Sequence, residues 1–185
     1  MVSLAQQRLS DDHQAVGEVL EQTLTALTNK DVPASHSRLD LLWARLAVHI
    51  RAEHLHLFPA VIRRLTKSPD PVAPDLIEAQ SLIERLKGDH DFFMRELARA
   101  IGVLRELPAN LISASDETKF TAIGDTVREI EKRLATHNEI EEEQIYRWAS
   151  TILTEPEKAE LATRINAELQ NRPPRFSQEA WANSL

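Results

Sequence analysis

Four stretches of the chain place apolar residues at alternating steps of three and four, the spacing of a helix with one buried face. They cover residues 3–29, 37–67, 75–106 and 116–152. Each stretch interrupts its apolar face with a histidine, and the second and fourth also carry a glutamate one turn later. The interrupting residues are His13, His49 with Glu53, His90, and His137 with Glu141. The chain must therefore fold so that titratable side chains lie inside a hydrophobic core.

The connections between these stretches are short, polar and rich in proline, and they lie at 30–37, 68–74 and 107–116. Ser37 and either Ser115 or Asp116 are the predicted N-caps of the helices that follow. Only 4 glycines occur in 185 residues, which favours helix. Because short connections make consecutive helices antiparallel neighbours, we predict an all-α, up-down-up-down four-helix bundle over residues 1–152.

Residues 153–185 are predicted to form an additional C-terminal helix and an extended tail, packed on the bundle or extending from it. The sequence TEPE at 154–157 is a capping box with proline in the first turn, and it predicts a fifth helix to about Leu169. The tail begins at Asn171 and has two aromatic residues available for docking, Phe176 and Trp181. Oligomeric state stays open, with a dimer through this segment as one option.

The interrupting histidines are expected to meet at one height in the bundle. His13 lies about 16 residues before its helix ends, and His49 about 12 after the next begins, a mismatch of about 6 Å at 1.5 Å per residue. The two halves of the chain also repeat each other, since Asp12-His13 and Asp89-His90 precede matching apolar positions and the pattern HxxxE follows in each half. A duplicated helix pair would bring two equivalent sets of side chains face to face.

A buried layer of this kind needs a compensating partner. Burying two carboxylates without one costs several kcal/mol each, and a pair of first-row metal ions bridged by the glutamates supplies that partner. The spacing HxxxE puts both side chains on one helical face. Nitrogen and oxygen donors without cysteine favour iron, with manganese or zinc as alternatives. A metal-free His–Glu network that fixes helix register is the competing interpretation.

Composition excludes several other functions. A net charge of −7 and a pI near 5.5 argue against a nucleic-acid surface and against a polybasic membrane patch. The absence of cysteine excludes disulfides and thiolate sites. No secretory signal and no apolar run of membrane-spanning length are visible, so the expected location is the cytoplasm.

The segments DDH, HIRAEHLHLFP, GDH and HNEIEEEQIYRW resemble the hemerythrin-like HHE cation-binding domain, over about residues 1–150. The resemblance implies a four-helix bundle with a non-heme diiron centre, bridged by carboxylates and an oxo or hydroxo group. Family members bind oxygen, sense oxygen or iron, or react with peroxide or nitric oxide. By position, the implied ligands are His13, His49, Glu53, His90, His137 and Glu141, with Glu53 and Glu141 as bridges.

One departure from the family matters for function. Oxygen-carrying members have a second histidine four residues from the one on the third helix, whereas Leu86 and Met94 flank His90 at that distance. One metal is therefore expected to have an additional open position, as exogenous ligands or redox chemistry require. An enzyme with peroxide- or nitric-oxide-directed activity is one option, and a regulatory module that uses the metal site as a sensor is another.

Other polar residues are weaker candidates. His56 follows Glu53 by three residues and is a candidate substitute ligand or supporting residue, since either His56 or Leu57 continues the apolar face. His54 and Glu142 hold matching positions beside the glutamates and are predicted to face solvent or to support the ligands. Asp12 and Asp89 lie about 100° around the helix from the histidines and are predicted to be surface residues.

Overall fold

The computed structural model describes residues 3–67, 74–110, 113–176 and Trp181. Its α-helices are α1 Leu4–Thr28, α2 Val32–Ala52, α3 Phe58–Lys67, α4 Leu76–Glu106, α5 Ala114–Ile140, α6 Arg147–Ile152 and α7 Glu155–Leu169. Two π-helical segments, Glu53–Leu57 and Glu141–Tyr146, join α2 to α3 and α5 to α6. No strand occurs in these parts of the chain. The all-α prediction is confirmed, while residues 68–73 of the second predicted connection lie outside the described ranges.

Four rods form the bundle, because each π-helical segment continues one helix into the next. The rods are α1, α2 with α3, α4, and α5 with α6. Helix α1 packs beside α2 and α5, and α4 packs beside the same two helices from the opposite corner. This ring of four neighbours is the packing expected of an up-down-up-down bundle.

Short polar side chains begin the bundle helices, although not all at the predicted positions. Asp31 caps α2 by accepting a hydrogen bond from the backbone N–H of Ala34, and Ser113 caps α5 by accepting one from Asp116. The predicted N-caps Ser37 and Ser115 or Asp116 are therefore wrong. Pro33 did not separate two elements, because proline is tolerated in the first turn of a helix.

The hydrophobic core has two parts with a polar layer between them. The first apolar cluster fills one end of the bundle and contains Val16, Leu20, Leu42, Phe93, Leu97 and Ile130. The second fills the other end and contains Leu9, Leu57, Val61, Leu86, Ile145 and Ile165. Along each rod, the residues between these two sets are the histidines and glutamates that interrupt the sequence pattern.

The C-terminal helix α7 lies against α1 and α2, outside the ring of four. Its predicted capping box forms between Thr154 and Glu157, and its apolar face buries Leu161 and Ile165. Beyond α7, Trp181 is buried against the bundle, where the guanidinium of Arg45 lies 5.0 Å from its ring centroid. Among the described helices, none is both long and apolar enough to span a membrane.

Candidate metal centre

The structure brings all six predicted site residues together between the two apolar clusters. Helix α1 supplies His13, α2 supplies His49, α4 supplies His90 and α5 supplies His137. Glu53 and Glu141 are the first residues of the two π-helical segments, and both have 0% exposed surface. The four histidines are also buried.

The six side chains form two groups that share both glutamates. In one group, ligand atoms of His13, His49, Glu53 and Glu141 lie within 4.8 Å of one another, and each residue offers one. In the other, Glu53, His90, His137 and Glu141 meet the same criterion. We call the pair His13 and His49 the first half of the centre, and His90 and His137 the second half. Each half can hold a metal ion with two nitrogen and two oxygen donors.

The two π-helical segments begin at the glutamates and shift the helical phase that follows them. After Ala52, the Phe58 N–H donates to the Glu53 carbonyl five residues back, so the turn holds an extra residue. Leu57 then continues the buried face and His56 turns to its edge. His56 is not in either ligand group, and its Nε2 lies 3.9 Å from Glu168 of α7. The structure therefore argues against His56 as a ligand.

In every histidine of the centre, Nε2 faces the centre. Nδ1 faces away from it and lies within hydrogen-bond distance of a polar side chain. The Nδ1 partners are Glu142 for His13, Asp12 for His49, His54 for His90 and Asp89 for His137, at 2.9, 2.9, 2.9 and 3.3 Å. A carboxylate can only accept, so it places the imidazole proton on Nδ1 and leaves the Nε2 lone pair facing the centre. Metal-ligating histidines in proteins are held in this way.

Asp12 and Asp89 were predicted to be surface residues, and that prediction is wrong. Each lies between a histidine of the neighbouring rod and an arginine one turn before that histidine. Asp12 accepts from Arg45 at 2.8 Å, and Asp89 accepts from Arg133 at 2.5 and 2.8 Å. A position 100° from the core face points toward the next helix of a bundle, not only toward solvent. The signal was present in the sequence, where RxxxHxxxE occurs at 45–53 and again at 133–141.

Tyr146 is a residue of the centre that the sequence pattern did not single out. It ends the second π-helical segment, is almost fully buried and donates its hydroxyl proton to Glu53 Oε1 at 2.8 Å. The same hydroxyl lies 3.1 Å from His13 Nε2. Burial and the charges of Glu53 and Glu141 raise the pKa of Tyr146 well above its ordinary value, so the phenol stays protonated. In the repeat, the equivalent position is Phe58.

The donor set fits a cation at its centre. His90 Nε2 and His137 Nε2 lie 2.9 Å apart, so two lone pairs would oppose each other unless a proton or metal ion lay near them. Within the described residues, His49 Nε2, Glu53 Oε2 and both oxygens of Glu141 are buried without a hydrogen-bond partner. Unsatisfied buried polar atoms are rare and costly in folded proteins. Four of them gathered at the centre fit a cation bound between them.

The pKa shifts also indicate that the buried glutamates need a positive partner. Burial would raise the pKa of Glu141, but the imidazoles of His13, His137 and His90 at 3.1–3.6 Å hold it well below its ordinary value. Burial would lower the pKa of His49, yet the charge of Glu53 and the hydrogen bond to Asp12 raise it well above. Without metal, protons on the imidazoles neutralise the glutamates. A bound metal ion would replace these protons as the positive partner, and its binding would release them.

A small void adjoins the four histidines on the side of the first apolar cluster. Its volume is about 10 Å³, and Val16, Leu46, Leu134 and Asn138 complete its wall. A wider cleft of about 430 Å³ lies between α4 and α5 and reaches His137, with Asp89 and Arg133 at its edge. His137 therefore borders this cleft as well as the void, although its own surface is only 2% exposed.

The fold and the site together define a class: a helical bundle with a buried metal-binding centre of histidine and glutamate. The chain matches the family model of the hemerythrin HHE cation-binding domain over residues 4–149 and belongs to that family. Searches of curated proteins and of solved structures found no significant match. The resemblance drawn from the sequence motifs is confirmed, and metal binding is the property that family and site share.

Proposed function

We propose that the chain is a non-heme diiron protein whose centre binds or reacts with a small oxidant such as oxygen, peroxide or nitric oxide. His13 and His49 would hold one ion, His90 and His137 the other, and Glu53 and Glu141 would bridge them. The observation that carries this proposal is that two four-residue ligand groups share the same two glutamates. A single-ion site would not need both groups.

The choice of iron rests on donor chemistry. Imidazole and carboxylate together suit iron, while the absence of thiolate removes the donors that favour a closed structural zinc site. Manganese and zinc are the alternatives for the same donors. An iron pair would supply reversible electron transfer to a small oxidant, and the protein would supply binding, shielding and protons.

The protein side chains limit what can reach the centre. Leu86 and Met94 stand four residues before and after His90, and neither can supply the further histidine that oxygen carriers have on this helix, so the chain would have four histidine ligands for two ions. The void of about 10 Å³ beside the histidines has room for about one water-sized group. A void of this size favours a small exogenous ligand over an organic substrate. The Tyr146 hydroxyl oxygen lies 3.1 Å from His13 Nε2 and donates its proton to Glu53, on the shared-glutamate side of the centre.

Metal analysis of purified protein tests this proposal most directly. After expression with ample iron, we expect two iron ions per chain and a near-ultraviolet charge-transfer absorption that added azide perturbs. Reconstitution with zinc in parallel separates occupancy of the site from its redox chemistry. Less than one iron per chain would contradict the diiron proposal, and two irons without any response to azide would contradict an open position.

The competing interpretations find less support. A regulatory module would need the C-terminal segment to contact a partner, but Trp181 is buried against Arg45 and Phe176 packs beside the first apolar cluster. A metal-free bundle would have to keep buried imidazoles protonated, against the cost of their burial, to neutralise Glu53 and Glu141. A cytoplasmic location and a dimer through the C-terminal segment stay predictions of the sequence.

A further inference from the structure

A second cavity lies outside the bundle core, between α3 and α7, with a volume of about 370 Å³. Four basic side chains line it: Arg63, Arg64, Lys67 and Arg164. The chain as a whole carries a net charge of −7, so this concentration of positive charge runs against the overall composition. None of these residues belongs to the metal centre.

Two carboxylates also line the cavity, and they offset part of its positive charge. Glu157 accepts hydrogen bonds at 2.8 Å from the backbone N–H and the hydroxyl of Thr154, as part of the α7 cap. Glu160 pairs at 2.5 Å with Arg164, one of the four cations, and the charges of Arg64 and Lys67 also act on Glu157. Arg63 and Lys67 have no ion pair or side-chain hydrogen bond with any residue that the structure describes. Their charges are available to a ligand.

Arg64 keeps donors free as well. Among the described residues it gives only its Nε to a protein acceptor, the carbonyl of Ile152 at 2.8 Å, so its two terminal nitrogens have no hydrogen-bond partner there. His56 reaches the cavity from the first π-helical segment, and within the described parts its Nδ1 is buried without a hydrogen-bond partner. The cavity thus offers guanidinium and ammonium donors from α3, with His56 in its lining from the preceding π-helical segment.

Apolar side chains form the rest of the lining, namely Ala60, Leu153 and Leu161. A bare inorganic anion would use the cations and leave this surface uncovered. The volume of about 370 Å³ falls in the range of small-molecule pockets. The lining therefore matches a ligand with an anionic head and a compact apolar body.

We propose that the cavity between α3 and α7 binds a small organic phosphate. A phosphate offers three acceptor oxygens, which suit the forked donors of arginine together with the point charge of lysine. Arg63, Lys67 and Arg64 hold the phosphate, and Leu153 and Leu161 contact the body of the molecule. This site is independent of the metal centre and of the function proposed for it.

Isothermal titration calorimetry of the metal-loaded protein with phenyl phosphate, at 0.15 M salt, tests the proposal. We expect saturable binding at one site per chain, and at least tenfold weaker binding of inorganic phosphate and of phenylacetate. The double variant Arg63→Gln/Lys67→Gln should weaken phenyl phosphate binding at least tenfold. Both side chains are exposed, so the variant should keep its helical circular dichroism and its metal content.

The matched control is Arg8→Gln/Lys119→Gln, which removes the same two kinds of charge from exposed positions away from the cavity. It should leave phenyl phosphate affinity within about twofold. Equal weakening by both double variants would overturn the proposal, since net charge alone would then explain binding. Phenylacetate or inorganic phosphate binding as tightly as phenyl phosphate would overturn the assigned ligand class, and the absence of saturable binding would overturn the site itself.

Discussion

The two halves of the metal centre share a sequence pattern but differ in their surroundings. Behind His49, Asp12 and Arg45 have only 9% and 2% of their side-chain surface exposed. Behind His137, the equivalent Asp89 and Arg133 have 13% and 43% exposed. The hydrogen bond from the histidine to the aspartate is also shorter in the first half, at 2.9 Å against 3.3 Å.

The difference comes from residues outside the repeat. Arg45 donates to the carbonyl of Trp181 at 2.8 Å, and the tail residue covers the arginine from solvent. Arg133 instead lies over the ring of Phe92, 4.2 Å from its centroid, at the edge of the open cleft between α4 and α5. A duplicated motif therefore fixes the ligands of both halves, while the C-terminal segment makes the halves unequal in access and in electrostatics.

The largest effect should come from a residue that both halves share. Glu141→Ala removes a donor from each ligand group and leaves four imidazoles facing the core. Loss of a supporting residue behind a ligand typically costs 10–100-fold in metal affinity, so loss of a shared ligand should cost more than about 100-fold. We expect most of the iron and its charge-transfer absorption to disappear, as measured by metal analysis and ultraviolet spectroscopy.

Glu143→Ala is the matched control, because Glu143 is exposed two residues further on. It should retain full iron content and an unchanged spectrum. If Glu141→Ala kept its iron, or if Glu143→Ala lost it, the assignment of Glu141 to both ligand groups would be wrong and the two halves would not share a bridge.

The next largest effect should be a difference in unfolding free energy between the halves, because the aspartate–arginine pair is more deeply buried in the first half. Asp12→Ala removes the negative charge beside the buried guanidinium of Arg45, and breaking a buried ion pair typically costs about 3–5 kcal/mol. Asp89→Ala acts beside Arg133, whose side chain is 43% exposed, and pairs with an exposed arginine are worth about 0–1 kcal/mol. Urea unfolding of the metal-free proteins measures both values. Equal losses would show that the covering of Arg45 has no energetic consequence.

Acid should remove the contribution that Asp12 makes to folding stability. Burial would raise the pKa of Asp12, but the hydrogen bond and charge of His49, together with Arg45, lower it below the ordinary value of 3.8. A carboxyl with a lowered folded-state pKa stabilises the fold above its unfolded pKa and loses that contribution as pH falls through the folded value. The stability difference between wild type and Asp12→Ala should therefore be constant above about pH 5 and shrink below pH 3.8. Unfolding curves measured from pH 6 to pH 2.5 check this, and a difference that grew in acid would contradict it.

The ligand positions could be predicted from the sequence because they obey the ordinary helical period. His49 with Glu53, and His137 with Glu141, are four residues apart and share a face in an α-helix. The π-helical segments could not be predicted, because an extra residue in one turn has no characteristic composition. Its consequence is visible at positions 56 and 57. With an unbroken α-helix, either His56 or Leu57 could continue the buried face, whereas the wider turn buries Leu57.

The residues behind the histidines were missed for a different reason. Periodicity identifies the face that points to the core, but Asp12 and Asp89 lie on the flank that meets the next rod. Their roles depend on the length of an arginine side chain from another helix, which no single-helix pattern contains. Arg45 and Arg133 each precede an HxxxE motif by one turn, and this feature of the repeat was visible in the sequence. It indicates that Asp12 and Asp89 have buried partners.

The smallest predicted effect concerns the groups behind His13 and His90, where the halves differ in charge. Glu142 is a carboxylate, whereas burial and the nearby His90 lower the pKa of His54 and keep it neutral. A carboxylate behind a ligand histidine makes that ligand more basic. We expect Glu142→Gln to weaken metal binding up to about tenfold and His54→Glu to strengthen it by a similar factor, at the low end of effects from such residues. Competition with a chelator of known affinity measures both, and the double variant should return close to wild type because the two changes act on separate halves. Changes in the same direction would show that total charge near the centre, not the partner of each histidine, sets the affinity.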